Sequence, residues 1–259
     1  AGLTAAYFLR QWGHAVTIFD QQPKMGGMLR YGIPEYRLPK AVLDQEISII
    51  EKAGVVLKNN VKLGKDIQFD DIRSEYDAVL LAIGAWTSVP MRVPGEDLDG
   101  VEGGIYFLEK LGLGEKPLLG KNVAVCGGGN TALQEAIALS EGCTHVYVVQ
   151  NLDFLTGEER LQKEIAKKDN ITVILGTLVT ELLGEKSMTG ITLKKGDEQK
   201  LLEVDGIFVA IGQKPENDPF KDVLKLDEYG YIVSGEDCAP NGAVPGIFVA
   251  GDCRTKKIR

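Results

Sequence analysis

The segment from Asn122 to Gln150 decides the fold of this chain and reads NVAVCGGGNTALQEAIALSEGCTHVYVVQ. Its first residues, Asn122–Cys126, form a valine-rich apolar run that is too short for a helix and predicts a β-strand. Three glycines then interrupt regular structure, and apolar residues at helical spacing follow, so we predict a helix with Asn130 as its N-terminal cap. A second apolar run, His145–Val149, predicts another strand. The segment is therefore predicted to fold as strand, glycine turn, helix and strand.

The glycine turn fits the pattern G-x-G-x-x-G/A of dinucleotide-binding turns. Glycine lets the backbone approach a pyrophosphate, whose negative charge then faces the amides at a helix N-terminus. A glycine-rich turn with no ligand is the alternative, but the flanking strands and helix favour a dinucleotide. The candidate contacts in this turn are Gly127, Gly128, Gly129, Asn130, Thr131 and Ala132.

Composition and charge limit the class of protein. A chain of 259 residues with 44% hydrophobic and 25% charged residues is typical of one large or two ordinary globular domains. The net charge of −8 argues against a nucleic acid or an anionic membrane as the partner. No apolar run reaches the roughly 18–20 residues that a membrane helix needs, and the first residues do not resemble a signal peptide, so we expect no membrane association.

Cysteine and histidine usage argues against a metal centre or a dithiol centre. The four cysteines contain no C-x-x-C pair and the two histidines are far apart in the sequence, so we predict no metal site and no redox dithiol of that kind. Scattered cysteines are also the default for a reducing compartment, which predicts a cytoplasmic protein.

A second dinucleotide unit is indicated at the start of the chain. Gly2 opens a helical stretch, and residues 15–20 form a predicted strand that ends in Asp20, 18 residues after Gly2. A carboxylate at about this spacing binds a ribose 2′-hydroxyl in such units. Asp20 could also be an ordinary acid at a strand end, but its spacing from Gly2 favours the ribose role. The first strand of this unit and its leading glycines are expected to be missing.

Residues 21–39 form a predicted loop that is rich in glycine, proline and tyrosine. A loop of this length without secondary structure is commonly functional. Gly26 and Gly27 would let the backbone approach a flat ligand. Arg30 and Arg37 are the candidate charged contacts, although either could be a solvated loop arginine.

Two similar strands close the two units. Residues 77–84 read DAVLLAIG and residues 205–212 read DGIFVAIG, and both predict a buried strand that ends in a glycine where a ligand can approach. A third such strand ends in a glycine and an acid, at the edge where α/β sheets bind ligands. Two units imply two dinucleotides, and FAD with a nicotinamide dinucleotide is the pairing that supports hydride transfer. The candidate contacts at these strand ends are Gly84, Gly212, Gly251 and Asp252.

The remaining patterns complete the fold. We predict a short helix near residues 105–111, a third strand at residues 171–176 and a hairpin meander over residues 182–204. The predicted fold class is α/β, with two Rossmann-like three-layer (ββα) dinucleotide-binding domains, the second inserted in the first. The predicted domains are an FAD-binding domain of residues 1–100 and 213–259 and an NAD(P)-binding domain of residues 117–212.

These motifs resemble the flavoproteins with two dinucleotide-binding domains over essentially the whole chain. GGMLRYGIPEYRLPK, residues 26–40, is similar to the small (β) subunit of glutamate synthase and its relatives, including the flavin region of dihydropyrimidine dehydrogenase. In the second half, CGGGNTA at residues 126–132, DGIFVAIGQKPEN at residues 205–217 and VPGIFVAGDCRTKKIR at residues 244–259 are more similar to thioredoxin reductase.

The resemblance implies roles for the residues that match these motifs. Gly2 would be the last glycine of the FAD pyrophosphate motif, and Asp20 would hold the adenosine ribose, where a glutamate is more usual. The other implied FAD contacts are Gly27, Met28 and Leu29 along the flavin, Arg37, the backbone of Val61 at the adenine, Gly84 near the same end, and Gly251 and Asp252 at the pyrophosphate and ribityl chain. The residues that would face the nicotinamide dinucleotide are Gly127, Gly129 and Ala132.

Two departures from the family pattern carry information. The redox C-x-x-C of thioredoxin reductase is absent before the second glycine turn, which disfavours a thiol relay. Gln150 and Asn151 stand where NADPH-using relatives carry an arginine pair, and a 2′-phosphate needs cationic partners. We therefore expect NADH over NADPH, or a weakened nicotinamide site, unless Arg160 and Lys163 supply the charge.

The predicted function is an FAD-dependent oxidoreductase that passes hydride from NAD(P)H to FAD. No catalytic side chain is nominated, because direct transfer needs only the alignment of two rings. Electrons would leave to a small acceptor or to a redox partner protein or subunit, such as an iron–sulfur one, since the scattered cysteines match no cluster motif. A homodimer is an option. Two alternatives stay open: a thioredoxin-reductase-like flavoprotein with another donor such as ferredoxin, and a non-catalytic nucleotide-binding module.

Overall fold

The chain divides into two compact units. The computed structural model describes residues 1–115, 120–241 and 244–256. Unit 1 comprises Ala1–Arg30, Glu35–Thr87 and Lys214–Arg259, and unit 2 comprises Tyr31–Pro34 and Ser88–Gln213. The sequence of unit 2 thus interrupts that of unit 1. The predicted domain start at residue 117 and the last three residues of the final predicted motif lie outside the described residues.

The secondary structure alternates between helices and strands over most of the chain. The helices are α1 Gly2–Gln11, α2 Met28–Tyr31, α3 Lys40–Lys52, α4 Phe69–Glu75, α5 Gly104–Gly112, α6 Asn130–Leu139 and α7 Glu159–Ile165. The strands are β1 Thr17–Phe19, β2 Val56–Lys58, β3 Val79–Leu81, β4 Thr87–Ser88, β5 Val101–Gly103, β6 Asn122–Cys126, β7 His145–Val149, β8 Ile171–Ile174, β9 Leu178–Gly184, β10 Met188–Lys195, β11 Glu198–Glu203, β12 Gly206–Val209, β13 Gln213–Lys214 and β14 Ile247–Val249. Among the described residues, no helix has the length and apolarity needed to cross a membrane.

Unit 2 is built on a five-stranded parallel sheet with the order β5-β12-β6-β7-β8. Successive side chains of β6 point to opposite faces, so Val123 and Val125 pack against the helices while Ala124 packs on the other side. The helix layer contains α5, α6 and α7, and the opposite layer is the antiparallel meander β11-β10-β9. This arrangement confirms the predicted α/β class with a three-layer unit around a parallel sheet.

Unit 1 contains two parallel strand pairs, β1 with β2 and β14 with β3. Met25, Leu43 and Ile47 form a buried cluster, on which Leu3 of α1 and Ile18 of β1 pack. A second cluster joins α4 to β3 and β14 and includes Phe69 and Phe220, whose rings meet edge to face. The burial of these apolar side chains stabilises the strand ends and helix starts that are considered below.

Two sequence predictions are wrong in unit 1. Residues 21–39 are not all loop, because Met28–Tyr31 forms one helical turn. Residues 77–84 do not form a fully buried strand, since only Val79–Leu81 is extended and only Leu81 is buried. The similar strand β12 is buried at every position because it lies between β5 and β6 with a layer on each face. In the described residues β3 pairs with β14 alone.

Candidate functional site

The glycine turn of unit 2 follows β6 directly. Gly127 has φ +137°, and its N–H donates to the carbonyl oxygen of Val149 at the end of β7 (2.9 Å). A Cβ at this position would collide with the carbonyl oxygen of Ala210. Only glycine fits both the conformation and the space, so the chain leaves β6 in a turn that no other residue permits.

The helix after this turn begins without a side-chain cap. Gly129 is the N-cap residue of α6, and no side chain caps its amides. The predicted capping by Asn130 is wrong, because Asn130 is the first helical residue and its side chain points to Glu158 instead. Asn130 Nδ2 donates to Glu158 Oε1 (3.1 Å), and the Glu158 N–H donates to Asn130 Oδ1 (2.7 Å). The first amides of α6 are thereby left to a ligand or to solvent.

The loop between β7 and α7 folds back over the glycine turn. The N–H groups of Thr156 and Gly157 both donate to the carbonyl oxygen of Gly128 (2.9 Å each). A Cβ on Gly157 would lie 2.6 Å from Cδ1 of Leu133 in α6, so this close approach requires glycine. Sequence reasoning missed this loop as part of the site, although the glycine at position 157 just before a helix was a signal for a tight approach.

Gln150 and Asn151 lie at the carboxyl end of β7, beside the turn. Gln150 is buried, and a Cβ on Gly128 would lie 2.5 Å from its Nε2, so the glutamine amide covers Gly128. Its Oε1 accepts the N–H of Asn151 (3.2 Å). Lys163, a candidate substitute for the missing arginines, forms an ion pair with Glu159 (2.6 Å).

In unit 1 the start of α1 meets the ends of β3 and β14. A Cβ on Gly2 would lie 3.5 Å from the Cβ of Ala82, and one on Gly251 would lie 3.2 Å from the Cβ of Ala1. The N–H of Ala250 donates to the carbonyl oxygen of Leu81 (2.9 Å). The structure thus brings the predicted pyrophosphate residues Gly2 and Gly251 to the carboxyl ends of β3 and β14.

Asp20 and Val61 form a second contact in unit 1. The N–H of Val61 donates to the carbonyl oxygen of Asp20 (2.9 Å), and the carboxylate of Asp20 accepts the N–H of Gln22 (2.9 Å). Burial raises the pKa of the Asp20 carboxyl, and the bond from Gln22 partly opposes this rise. The two residues predicted for the adenosine end of FAD are therefore neighbours.

The predicted flavin loop is held by two cations. Buried Arg30 donates from Nε to the carbonyl oxygen of Met25 (2.6 Å) and from its terminal nitrogen to Asp44 (2.5 Å). Lys40 Nζ donates to the carbonyl oxygen of Leu29 (3.1 Å). Arg30 is thus a structural clamp rather than a solvated loop arginine. The adjoining Gly27 has φ +53° and open space where a Cβ would point.

The other predicted contacts follow strands, lie within residues 21–39 or lie in the first turn of α6. Gly84 has φ +72° and faces the indole of Trp86, and Gly212 has φ +137° beside Val89. Asp252 pairs with Lys256. The remaining predicted residues are Gly26, where a Cβ would meet Arg30 and Leu43, half-buried Met28, half-exposed Leu29, partly exposed Arg37, Thr131 in the first turn of α6 and buried Ala132.

The thiols are poorly placed for redox chemistry. All four cysteines are free. Burial raises the pKa of Cys126 to about 11, with Glu96 adding to the effect, and raises the pKa of Cys143 to about 11 with Asp205 adding. Burial also raises the pKa of Cys253. In the described part of the chain, no group of three or more His, Cys, Asp or Glu side chains is arranged to hold a metal ion.

Both sites fit a dinucleotide. In unit 2, α6 starts at the carboxyl end of β6 after a glycine turn, and in unit 1 the start of α1 lies at the carboxyl ends of β3 and β14 beside Gly251. In unit 1, Gly2, Gly251 and the Asp20 carboxylate would hold phosphate and ribose groups. In unit 2, the backbone from Gly127 to Gly129 would hold a pyrophosphate. No acid or base positioned for proton transfer is required for either role.

A family model and individual relatives match this chain. The model described as pyridine nucleotide-disulphide oxidoreductase matches residues 1–259. The glutamate synthase [NADPH] small chain of Escherichia coli K12 is 29% identical over 97% of this chain and 61% of its own length. The NAD-dependent dihydropyrimidine dehydrogenase subunit PreT of Salmonella typhimurium is 30% identical over 97% of this chain and 60% of its own length. The chain spans less than two thirds of the length of these relatives.

A solved structure supports the same assignment. Thioredoxin reductase of T. acidophilum superposes with a TM-score of 0.77 and 26% identity, covering 99% of this chain and 88% of that chain. The resemblances to glutamate synthase small chain, dihydropyrimidine dehydrogenase and thioredoxin reductase are all confirmed. FAD and a nicotinamide dinucleotide, the cofactors expected from the two glycine turns, are those that this similarity indicates.

Proposed function

Since this chain belongs to the pyridine nucleotide-disulphide oxidoreductase family, we propose that it takes electrons from a reduced nicotinamide dinucleotide through FAD and passes them to a partner. One observation carries the proposal: each unit places a helix start beside glycines at the carboxyl end of a parallel strand. In unit 2, α6 follows β6 and residues 127–129, and in unit 1 the start of α1 lies beside Ala82 and Gly251, which follow β3 and β14. Two such sites fit two dinucleotides, and two dinucleotides are what this reaction needs.

We assign FAD to unit 1 and the nicotinamide dinucleotide to unit 2. This corresponds to an FAD-binding domain of residues 1–100 and 213–259 and an NAD(P)-binding domain of residues 117–212. The proposed FAD residues are Gly2, Asp20, Gly26, Gly27, Met28, Leu29, Arg37, Val61, Gly84, Gly251 and Asp252. The proposed nicotinamide-dinucleotide residues are Gly127, Gly128, Gly129, Asn130, Thr131, Ala132, Gln150, Asn151 and Gly212.

In this proposal the residues of this chain bind the two cofactors and orient them. When bound, the two cofactors supply hydride and two-electron chemistry of their own. The glycine turns would bring backbone amides to the phosphates. The Asp20 carboxylate would accept hydrogen bonds from the ribose hydroxyl groups. Arg30 and Lys40 fix the backbone of the flavin loop through the carbonyl groups of Met25 and Leu29. We assign no side chain to proton transfer.

NADH is the proposed electron donor. Gln150 and Asn151 carry no positive charge. Of the two cations that could substitute, Lys163 is already paired with Glu159, which leaves exposed Arg160 in the first turn of α7. A 2′-phosphate would therefore find few cationic partners at the end of β7. The relatives do not decide the coenzyme, because one is named for NADPH and the other for NAD.

The proposed electron acceptor is a partner protein or subunit that holds an iron–sulfur cluster, with a small-molecule acceptor as the other option. Both relatives above are named as one chain of a larger assembly. The cysteines in residues 1–259 match no cluster motif, so a cluster would be held by a partner chain or by a segment outside these residues. A cytoplasmic setting is supported by four free thiols. A homodimer stays a prediction.

Two other functions are less well supported. A thioredoxin-reductase-like thiol route needs a reactive dithiol, whereas burial raises the pKa of Cys126, Cys143 and Cys253 and leaves these thiols protonated at neutral pH. A ferredoxin-linked route would replace the reduced nicotinamide dinucleotide as electron donor, and the glycine turn of unit 2 favours the dinucleotide. A non-catalytic module would bind both nucleotides without turnover.

Anaerobic rapid mixing tests the proposed function. The FAD-loaded protein is mixed with NADH and separately with NADPH while flavin absorbance is followed. We expect rapid bleaching by NADH and slower bleaching by NADPH. Equal or faster reduction by NADPH would refute the coenzyme assignment but keep the enzyme. No reduction by either would favour a different electron donor or the non-catalytic module.

A matched pair of variants sharpens the coenzyme test. Asn151→Arg adds a cation at the end of β7, and Gln199→Arg adds the same charge on the exposed strand β11. We expect only Asn151→Arg to raise the rate with NADPH relative to that with NADH. An equal effect of both variants would show that net charge, and not this position, sets the ratio.

A further inference from the structure

The contact between Asn130 and Glu158 joins two segments that lie 28 residues apart. The Asn130 side chain donates one hydrogen bond to the Glu158 carboxylate and accepts another from the Glu158 backbone N–H. Together with the bonds from Thr156 and Gly157 to Gly128, they tie the loop before α7 onto the glycine turn. The loop thus holds a fixed position at the start of α6.

This contact brings a carboxylate to the place where phosphates are expected. Helix α6 has ten residues and carries no acidic side chain in its own first turn, which leaves its N-terminus attractive to anions. Glu158 Oε1 accepts a hydrogen bond from the side chain of Asn130, the first residue of α6 (3.1 Å). The neighbouring acid, Glu159, is paired with Lys163.

We propose that Glu158 is a specificity-determining residue that weakens the binding of dinucleotides according to their negative charge. The inference rests on the proposed function, since it requires the pyrophosphate to bind at the turn from Gly127 to Gly129. A carboxylate near a phosphate repels it across a partly hydrated gap, and this repulsion grows with the phosphate charge on the ligand. The N–H groups of Thr156, Gly157 and Glu158 also hold the loop, so we expect it to keep its position when the charge of Glu158 is removed.

Glu158→Gln separates the charge from the contact. The amide oxygen of glutamine can still accept the Asn130 Nδ2 hydrogen bond, while the negative charge is removed. Glu141→Gln is the matched control, because it removes one charge from an exposed acid just beyond the other end of α6. That helix is longer than the roughly 8–10 Å over which salt screens exposed charges.

The experiment measures equilibrium dissociation constants of the FAD-loaded protein for NAD⁺, NADP⁺ and adenosine by calorimetry. We expect Glu158→Gln to bind NAD⁺ about three- to fivefold more tightly than the wild type does. The gain in affinity over the wild type should be larger for NADP⁺ and absent for adenosine. The gain should shrink as salt is raised from about 0.05 M to about 0.5 M. Thermal unfolding of each variant checks that the fold is kept.

Three results would overturn the proposal. One is a Glu158→Gln affinity for NAD⁺ that is no higher than that of Glu141→Gln, and another is an equal shift for uncharged adenosine. A third is an equal gain for NAD⁺ and NADP⁺, which would remove the dependence on charge. If the wild type binds neither dinucleotide, the proposed function fails and this inference fails with it, whereas normal wild-type binding with an unchanged variant refutes this inference alone.

Discussion

The carboxylate of Glu135 in α6 lies directly against Gly104, the first residue of α5. A Cβ on Gly104 would collide with both carboxylate oxygens, so glycine is required there. Glu135 is fully buried, and among the described residues neither of its carboxylate oxygens has a hydrogen-bond partner. Burial raises the pKa of Glu135 well above its usual range, and the nearby Glu102, which is paired with Lys110, adds to the rise. The site between these two helices of unit 2 therefore favours the neutral form of the carboxyl group.

Glu135→Gln is expected to stabilise the protein increasingly as pH rises. The folded-state pKa is raised, so the contribution of Glu135 is fully present below its unfolded pKa near 4.5 and is lost as pH rises toward the folded value. Over that window the wild type loses about 1.4 kcal/mol of unfolding free energy per pH unit relative to the variant, because glutamine does not ionise. Chemical unfolding at several pH values measures this difference.

Glu141→Gln serves as the control for this prediction, since it replaces an exposed glutamate beyond the same helix. Its unfolding free energy should follow that of the wild type at each pH. A constant difference between Glu135→Gln and the wild type from pH 4 to pH 8 would contradict a buried neutral acid.

Gly127→Ala and Gly129→Ala should separate folding from binding. Gly127 has φ +137° and no room for a Cβ beside Ala210, so Gly127→Ala should lower the unfolding free energy by about 2 kcal/mol or more. Gly129 has φ −84°, and its added Cβ would meet nothing closer than Thr156 Oγ1 at 3.7 Å. Gly129→Ala should therefore keep its stability but bind NAD⁺ more weakly, because a methyl group stands in the phosphate approach. Wild-type affinity in Gly129→Ala would place the phosphates elsewhere.

Arg30→Met should loosen the predicted flavin loop. The change removes the donors to the Met25 carbonyl and to Asp44. We expect the unfolding free energy to fall by about 1–3 kcal/mol and the affinity for FAD to decrease. Arg10→Met is the matched control. Arg10 lies in the last turn of α1 and also donates to backbone carbonyl oxygens, those of Ala53 and His14, but it lies outside the predicted flavin loop. Fluorescence titration measures FAD affinity, and the visible spectrum reports the flavin environment. Equal FAD affinity and spectra in the two variants would remove the positioning role of Arg30.

The local pattern of residues was enough to predict the core of unit 2. Two valine-rich runs predicted β6 and β7, and apolar residues at helical spacing between them predicted α6. Both patterns are properties of neighbouring residues, so they can be read from the sequence. The meander also followed from alternation alone. The family resemblance assigned Asp20 and Val61 to the same proposed ligand, and the structure shows them in contact.

The missed features all depend on contacts between distant segments. The return of Thr156, Gly157 and Glu158 to the glycine turn is made by hydrogen bonds across 28 residues, which no local spacing encodes. The same contact took Asn130 away from the predicted capping role. The partial exposure of β3 reflects which strands lie beside it, whereas its sequence is as apolar as that of fully buried β12.

Alkylation of cysteines should leave flavin reduction unchanged. At neutral pH the thiols of Cys126 and Cys143 stay protonated, because burial raises the pKa of each to about 11, and Cys253 is fully buried. The thiolate is the reactive form, so we expect Cys238, which is partly exposed, to be labelled first by iodoacetamide at pH 7.5. Mass spectrometry identifies the labelled residue, and rapid mixing with NADH measures reduction before and after labelling. Cys238→Ser is the control, since it should resist early labelling and still be reduced at the wild-type rate. Loss of reduction in proportion to labelling would revive a thiol route for the electrons.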